Sequence, residues 1–489
     1  MQQDTYWVNG YSLFLINNLK NEQFFFMKSY LILLLLFTSC HTMLAQTLQR
    51  KGSIGVKFYQ NIPDTLAKQL EYTIGAIIEM PVPDATAYNI GVLKNDIIIK
   101  VNQTYITNGD ALVAVAKTLR ANDPIKITVL RKGKEVTLSG VVVARPKETS
   151  PTADIVYGEF AYKNGLVRTI LKSTKNTKPI GTIYYLQGLP CYSMDNFQPF
   201  DKTKEAIDAM VDRGFAVYRM EKGDMGDNQG FGPCSTMGYT EELEMYTAGY
   251  KNLLKLPSVD IEKIFLFGHS MGGTTAPVLA AQFQPRGVAV YGTGFKPWAE
   301  YLCDAYIIQS VLYGEDEGEC RATLEKLKPY FYDYMYNNKP LEAIIQTPNG
   351  LLAMQTLLSY NPVTKQGASG RSMSTFKELN KINAAKGFSQ YQHHVLAMYG
   401  ECDVAANNAN DNIAMIEHVN KQHPGKGTFW LVPKTSHMFE KVGTMQEYIT
   451  MSNNPAAYQQ YAATRFSAEV FDYTRNWMKA LLQKPLAKK

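Results

Sequence analysis

Positive charge is scarcer than a nucleic-acid partner would need. Across 489 residues, 50 Lys and Arg stand against 44 Asp and Glu, a net charge of +6, and no block of either sign stands out. That evenness argues against nucleic acid as a partner. Long hydrophobic runs are missing too. The most apolar stretch, Leu31–Phe37, falls well short of the ~20 residues a transmembrane helix needs. No H-E-x-x-H, Walker loop or G-x-G-x-x-G occurs, so no metal, nucleotide or other cofactor is expected. The six cysteines follow no zinc-binding spacing.

What is present begins with an export signal. Met1–Phe26 has no clear period, whereas Met27-Lys28, the run Leu31–Phe37 and the small residues after it read as a secretory signal peptide over 27–45. Residues 1–26 are then an extension ahead of the true start. Two processing routes compete. One cuts after Ala45. The other uses Phe37-Thr38-Ser39-Cys40, similar to a bacterial lipobox, and places a lipid on Cys40. Simple secretion to the periplasm or beyond is the favoured reading. In an exported chain some cysteines pair; the expected bridges are Cys191–Cys234 and Cys303–Cys320, with Cys402 free.

The strongest local signal is Ile264-Phe265-Leu266-Phe267 followed at once by Gly268-His269-Ser270-Met271-Gly272. Four apolar residues in a row predict a strand buried on both faces. Thr274–Phe283 predicts a helix in which Pro277 is tolerable in the early turns. Strand, G-x-S-x-G and helix are the setting of a nucleophile elbow. The turn is sharp, so glycines must flank the serine. Ser270 is then held in a strained backbone at a helix N-terminus that favours negative charge.

Residues 49–145 read as a separate small α+β unit. Strand signals lie at Gly52–Val56 and Ala76–Ile78, and the stretch Asn95-Asp96-Ile97-Ile98-Ile99-Lys100-Val101-Asn102 follows. Asp110 is the expected N-cap of a helix to Leu119, and Ile125–Leu130 with Glu135–Val143 predict a hairpin. Pro83–Ala87, Gly91, Asn95-Asp96-Ile97-Ile98 and Val101-Asn102, in that order, resemble a PDZ domain of the bacterial kind. Asn95 stands where such domains usually carry glycine, and 60–71 is long. The resemblance implies that Ser53, Ile54, Gly55 and Val56 form the loop that receives a peptide or protein C-terminus on backbone N–H groups. A PDZ fold serving only as a spacer is the other reading. Residues 146–151, polar and proline-flanked, predict a linker.

From 152 to 489 strands alternate with helices, which predicts an α/β domain with a mostly parallel sheet. Strands are expected at 157–162, 166–171, 180–186, 215–220, 288–291, 395–399 and 428–432, and one long closing helix at Pro455–Leu482. About 294–394 shows no strand and is rich in Tyr, Leu and Met, which predicts a helical lid whose aromatics line an acyl pocket or pack the lid itself. Element order and elbow resemble the α/β-hydrolase superfamily. The resemblance implies nucleophile, acid and histidine in chain order. It maps the base to His437, after the strand Phe429–Val432, and the acid to Asp403, with Glu401 in reserve. It also implies oxyanion donors at the backbone N–H groups of Met271 and Leu189. Gln187-Gly188 stands where many relatives have His-Gly.

The expected function is a secreted serine hydrolase cleaving carboxylic esters through an acyl-enzyme. Serine aminopeptidases share the fold and triad, so a peptidase is the second reading. It needs an acidic anchor for an amino terminus, for which Glu221, Asp224 and Asp227 are candidates unless they are only a solvated loop. The third reading is a non-catalytic, PDZ-led binding protein.

Overall fold

The computed structural model describes residues 48–60, 74–195, 197, 200–405 and 409–485. The signal peptide, the extension before it, Cys40 and nearly all of 60–71 lie outside the described residues.

The first domain contains β1 (Gly52–Ser53), β2 (Val56–Phe58), β3 (Ala76–Pro81), α1 (Thr86–Asn89), β4 (Ile97–Val101), β5 (Thr104–Tyr105), α2 (Gly109–Ala116), β6 (Pro124–Arg131), β7 (Lys134–Val141) and β8 (Val143–Ala144). The antiparallel order is β2-β3-β4-β6-β7, with β5 on β4 and β1 paired to β8. Alternation along β6 puts Ile125, Ile127 and Val129 into one core with Ile78, Ile98, Val101 and Leu112. The N-cap of α2 is Asn108 rather than Asp110: its side chain accepts the Ala111 N–H at 2.9 Å. Asn95 has φ 67°. Asparagine tolerates the left-handed region, so it serves where relatives use glycine.

The second domain runs β9 (Ala153–Tyr162), β10 (Gly165–Thr174), β11 (Thr182–Leu186), α3 (Lys202–Asp212), β12 (Ala216–Met220), α4 (Tyr239–Leu253), β13 (Ile264–His269), α5 (Gly272–Phe283), β14 (Gly287–Tyr291), α6 (Trp298–Leu312), α7 (Glu317–Met335), α8 (Leu341–Ile344), α9 (Pro348–Leu358), α10 (Met373–Asn380), α11 (Ala384–Gln390), β15 (His394–Gly400), α12 (Ala409–Gln422), β16 (Gly427–Val432), α13 (Met445–Ser452), α14 (Pro455–Ala463) and α15 (Ala468–Leu482). Its eight strands lie in the order β16-β15-β14-β13-β11-β12-β10-β9. β10 pairs antiparallel with both neighbours, and the pairs from β12 to β16 are parallel. Strands β11 to β14 are buried along their whole length, as expected of a sheet covered on both faces. α4, α5, α11 and α12 pack on one face, α3 and α15 on the other. The helices α6 to α11 are all inserted between β14 and β15, and α6 to α10 share a core of their own.

Two further expectations need correction. The closing helix is two helices, α14 and α15. At the break the Ser467 N–H donates to Phe439 O at 2.8 Å and its hydroxyl meets Thr435 at 3.0 Å, which turns the chain back onto the loop after β16. Cys191 and Cys234 are bonded, but Cys303 and Cys320 are free and buried. Cys303 packs in the core of the insertion, where burial pushes its thiol up to about 11; the Cys320 thiol instead donates to Glu315 at 3.4 Å. The stretch 146–151 carries no helix or strand but is tied down. Glu148 accepts from Lys172 at 2.7 Å and pairs with the buried Arg219.

The first domain is bolted to the second through Asp227, which is only 1% exposed. Arg50 pairs with it at 2.8 Å and also with Asp195. The Lys51 N–H donates to Asp227 Oδ1 at 2.8 Å, and Arg168 reaches it at 3.0 Å. Removing one partner of a buried ion pair leaves the other charges unpaired at a cost of about 3–5 kcal/mol. Asp227→Ala is therefore expected to lower the denaturation midpoint by that equivalent and to open 146–151 to limited proteolysis; unchanged stability and cleavage would contradict the docking role. Thiol titration of the chain from residue 48 onward, denatured without reductant, should count three thiols, and five after reduction.

Candidate active site

The elbow is built as its glycines require. Ser270 sits at φ 55°, a strained conformation for a residue with a side chain. A Cβ on Gly268 would lie 2.6 Å from Gly272 O, and one on Gly272 would collide with Leu186 O. The Ser270 N–H donates to Tyr291 O at 2.9 Å and its carbonyl accepts from Gly273 N–H at 2.9 Å, which fixes the turn between β13 and α5.

His437 lies on the loop after β16, and its Nδ1 meets Asp403 Oδ2 at 2.7 Å. Asp403 is 2% exposed and its other oxygen accepts the Ala405 N–H at 2.9 Å. Glu401 turns away and accepts the Lys434 N–H at 2.8 Å, so Asp403 is the carboxylate that reaches the histidine. Gly292 lies under this pair: a Cβ there would come within 2.8 Å of both Asp403 Oδ2 and His437 Nδ1. The His437 backbone is fixed by a residue inside the motif itself. The His269 Nε2–H donates to His437 O at 2.9 Å, a tautomer set by the carbonyl acceptor. Burial, with the neighbouring His437 second, pushes the His269 imidazole down to about 3, so it stays neutral. Tyr291 OH donates to Ser436 O at 2.6 Å, and Ser436 and Tyr458 both donate to the buried Glu440. Among the described residues no hydrogen bond joins Ser270 Oγ to His437; such contacts are often loose until substrate binds.

Ser270 opens onto a cavity of about 290 Å³ lined by Leu189, Trp298, Tyr301, Leu357 and Phe376, with the inserted helices as its roof. Both expectations for the lid aromatics are met by different residues: Trp298, Tyr301 and Phe376 line the cavity, whereas Phe331 and Tyr334, with Met335, are buried in the insertion's own core. Met271 is the N-cap of α5. Leu189 follows Gln187-Gly188, whose glutamine amide donates to Pro190 O at 3.3 Å and Tyr192 O at 3.2 Å and so braces its own loop. The carboxylates considered as an amino-terminus anchor are engaged elsewhere: Glu221 accepts Ser193 Oγ at 2.5 Å and Met194 N–H at 2.9 Å, Asp224 accepts Cys234 N–H at 2.9 Å, and Asp227 binds the first domain. Among the described residues no group of three or more His, Cys, Asp or Glu is placed to hold a metal.

Ser53, Ile54, Gly55 and Val56 line a separate cavity of about 590 Å³, walled by Leu112 and Val113 of α2 on one side and by Met225 and Cys234 of the second domain on the other.

An eight-stranded, mostly parallel sheet with a serine elbow at the end of a central strand defines an α/β-hydrolase. Residues 200–437 match the family described as serine aminopeptidase, S33, and residues 52–143 match the PDZ domain. The chain thus carries an α/β-hydrolase domain with a PDZ domain in front. A probable periplasmic serine endoprotease DegP-like of Marinomonas sp. (strain MWYL1) is 30% identical over 96 residues, which are 19% of this chain; the chain spans about a fifth of that protein's length. Among solved structures, DcsB in complex with a substrate analogue is 17% identical with a TM-score of 0.42, over 68% of this chain and 100% of that one. Est1E from Butyrivibrio proteoclasticus is 12% identical with a TM-score of 0.40, over 67% and 99%. Among the described residues no helix is long and apolar enough to cross a membrane.

Burial alone would lower the His437 pKa, but the charge and hydrogen bond of Asp403 outweigh it, with Glu440 adding to them, and hold it above the ordinary 6.5. If His437 serves as the base, which works when unprotonated, kcat/KM should fall with decreasing pH through a midpoint above 6.5. Asp403→Asn should move that midpoint down and cut kcat by roughly 10⁴-fold, the loss typical when a triad acid is amidated. An acid limb that stays in place in Asp403→Asn would exclude His437 as its source.

Proposed function

We propose that this protein is an exported serine hydrolase that cleaves carboxylic esters through an acyl-enzyme on Ser270. The observation that carries the reading is the His437–Asp403 contact at 2.7 Å beside a serine held at φ 55°. Ser270 Oγ attacks the ester carbonyl as His437 takes its proton. Asp403 holds the imidazole tautomer and stabilises the imidazolium, and the backbone N–H groups of Met271 and Leu189 take up the oxyanion. His437 then returns the proton to the leaving alcohol, and water releases the acid by the same steps. The cavity over Ser270 is lined by aromatic and aliphatic side chains together with the uncharged polar Gln309, Ser310, Thr356 and Ser359, and no Asp or Glu is among the residues that line it. That suits an uncharged acyl group and leaves a free ammonium without a partner. The peptidase reading has its own support in the S33 description of 200–437.

Export is supported by the apolar run after Met27-Lys28 and by the Cys191–Cys234 bond, since disulfides persist in oxidising compartments. The relative matched over the PDZ segment is itself described as periplasmic. The Ser53–Val56 loop is the place for a peptide or protein C-terminus.

A fluorophosphonate probe should label the folded mature protein and fail to label Ser270→Ala, with His437→Ala labelled at least about 1,000-fold more slowly. Ester substrates should turn over and aminoacyl amides should not; the reverse preference selects the peptidase. No labelling of folded wild type would overturn the enzyme reading in favour of a PDZ-led binding protein.

A further inference from the structure

Two buried cations converge on the loop that follows β11. Lys222 lies two residues past the neighbouring strand β12. Its ammonium donates to Gly188 O at 2.8 Å and lies 3.4 Å from Leu189 O. Arg371 comes from the inserted helical region, just before α10, and donates to Leu189 O at 3.0 Å and Met237 O at 3.2 Å. Glu242, on α4, accepts from Lys222 at 3.1 Å and from Arg371 at 2.8 Å. All three side chains are fully buried. Two cations share one carboxylate and backbone carbonyls take further donors, while Arg371 Nε meets no acceptor among the described residues. Stability alone does not call for this, because well-packed apolar residues usually replace a buried ion cluster at no loss.

The placement has a direct consequence for the peptide unit between Gly188 and Leu189. In a trans peptide the C=O and the next N–H point in opposite directions. An ammonium fixed on Gly188 O therefore turns the Leu189 N–H the other way. Gly188 itself lies against the nucleophile, since a Cβ on it would lie 3.3 Å from Ser270 Cβ and 3.6 Å from its Oγ, and Leu189 lines the same cavity as Ser270. Among the described residues no acceptor takes the Leu189 N–H. A peptide plane next to glycine rotates easily, so an unanchored plane would lose the donor by flipping.

We infer that Lys222, backed by Arg371 and Glu242, is a positioning residue that sets the oxyanion hole by anchoring the Gly188–Leu189 peptide, and that Arg371 ties this setting to the inserted helices. The inference rests on the reading of Leu189 as an oxyanion donor. The cluster also leaves one uncompensated positive charge beneath the place where negative charge develops. Burial, helped by Arg371 and opposed by Glu242, pulls the Lys222 pKa down to about 8. The charged groups that act on it are Glu242 and Arg371; the α4 tyrosines Tyr239 and Tyr246 lie by Glu242, and burial raises their hydroxyls and keeps them neutral. The ammonium is present below about 8 and lost above it, so kcat should decline on the alkaline side.

The test uses the full mature chain with p-nitrophenyl butyrate as substrate and an alkyl trifluoromethyl ketone as inhibitor. Ser270 Oγ adds to the ketone carbon, its proton passes to His437 and the carbonyl oxygen becomes an oxyanion. Lys222→Met should lower kcat by about 10–100-fold, somewhat less than outright loss of a donor, leave KM within about threefold, and weaken the ketone by the same factor as kcat/KM. The alkaline decline should disappear. A folded Lys222→Met with wild-type kcat, or one in which only KM changes, overturns the inference. If Lys222→Met does not fold, Arg371→Lys takes its place. It keeps the charge but loses the planar fork that spans Leu189 O and Glu242, so kcat should fall at constant KM, and wild-type kcat overturns the inference. Ser270→Ala runs beside them. Activity that survives Ser270→Ala sinks the acyl-enzyme reading and this inference with it; activity lost there but kept in Lys222→Met sinks this inference alone.

Discussion

The turn from β13 into α5 leaves no room for side chains around Ser270, and the surrounding structure is shaped by that constraint. Gly268 and Gly272 cannot carry a Cβ without striking backbone. The serine is forced to φ 55°, a cost of order 1–3 kcal/mol that the buried strand and helix must hold in place. β13 is able to do so because it lies between β11 and β14 and is buried throughout. The same edge of the sheet collects the other parts. β14 delivers Gly292 beneath the Asp403–His437 pair, β15 ends just before Asp403, and β16 feeds the loop with His437. His269, inside the turn, donates to the His437 carbonyl, so the strained serine and the histidine loop are one hydrogen-bonded unit.

Buried charge connects this unit to the rest of the chain. The loops after β11 and β12 carry the Gly188–Leu189 segment and Lys222 on one side and Asp227, the anchor of the PDZ domain, on the other. The Cys191–Cys234 bond closes the same pair of loops. The Ser53–Val56 cavity is walled partly by this bond, so the peptide-receiving face and the Leu189 loop share a covalent support. Arg371 brings the inserted helices to the same point.

Much of this was legible in the sequence for identifiable reasons. Ile264–Phe267 and Val288–Tyr291 stood out because strands buried on both faces must be apolar without interruption. The sharp turn at Ser270 was legible from glycine spacing, and the meeting of Asp403 with His437 from the superfamily's chain order after β15 and β16. The closing helix was misplaced because its apolar stripe runs on across a break that only the contacts of Ser467 reveal. The Cys303–Cys320 pairing failed because spacing along the chain says nothing about whether two thiols on α6 and α7 face one another. Lys222 and Arg371 were invisible for a deeper reason. A cation's role depends on the carbonyl it meets, and those carbonyls lie 34 and 182 residues away in sequence. A lysine after an apolar strand reads as a solvated loop residue until the fold closes over it.

The most direct measurement is a crystal structure of the protein inactivated by a fluorophosphonate. The phosphorus should be bonded to Ser270 Oγ, with the phosphoryl oxygen about 3 Å from the N–H groups of both Leu189 and Met271 and the leaving side open to His437. An adduct on another residue, or a phosphoryl oxygen turned away from both N–H groups, would contradict the acyl-enzyme site described above.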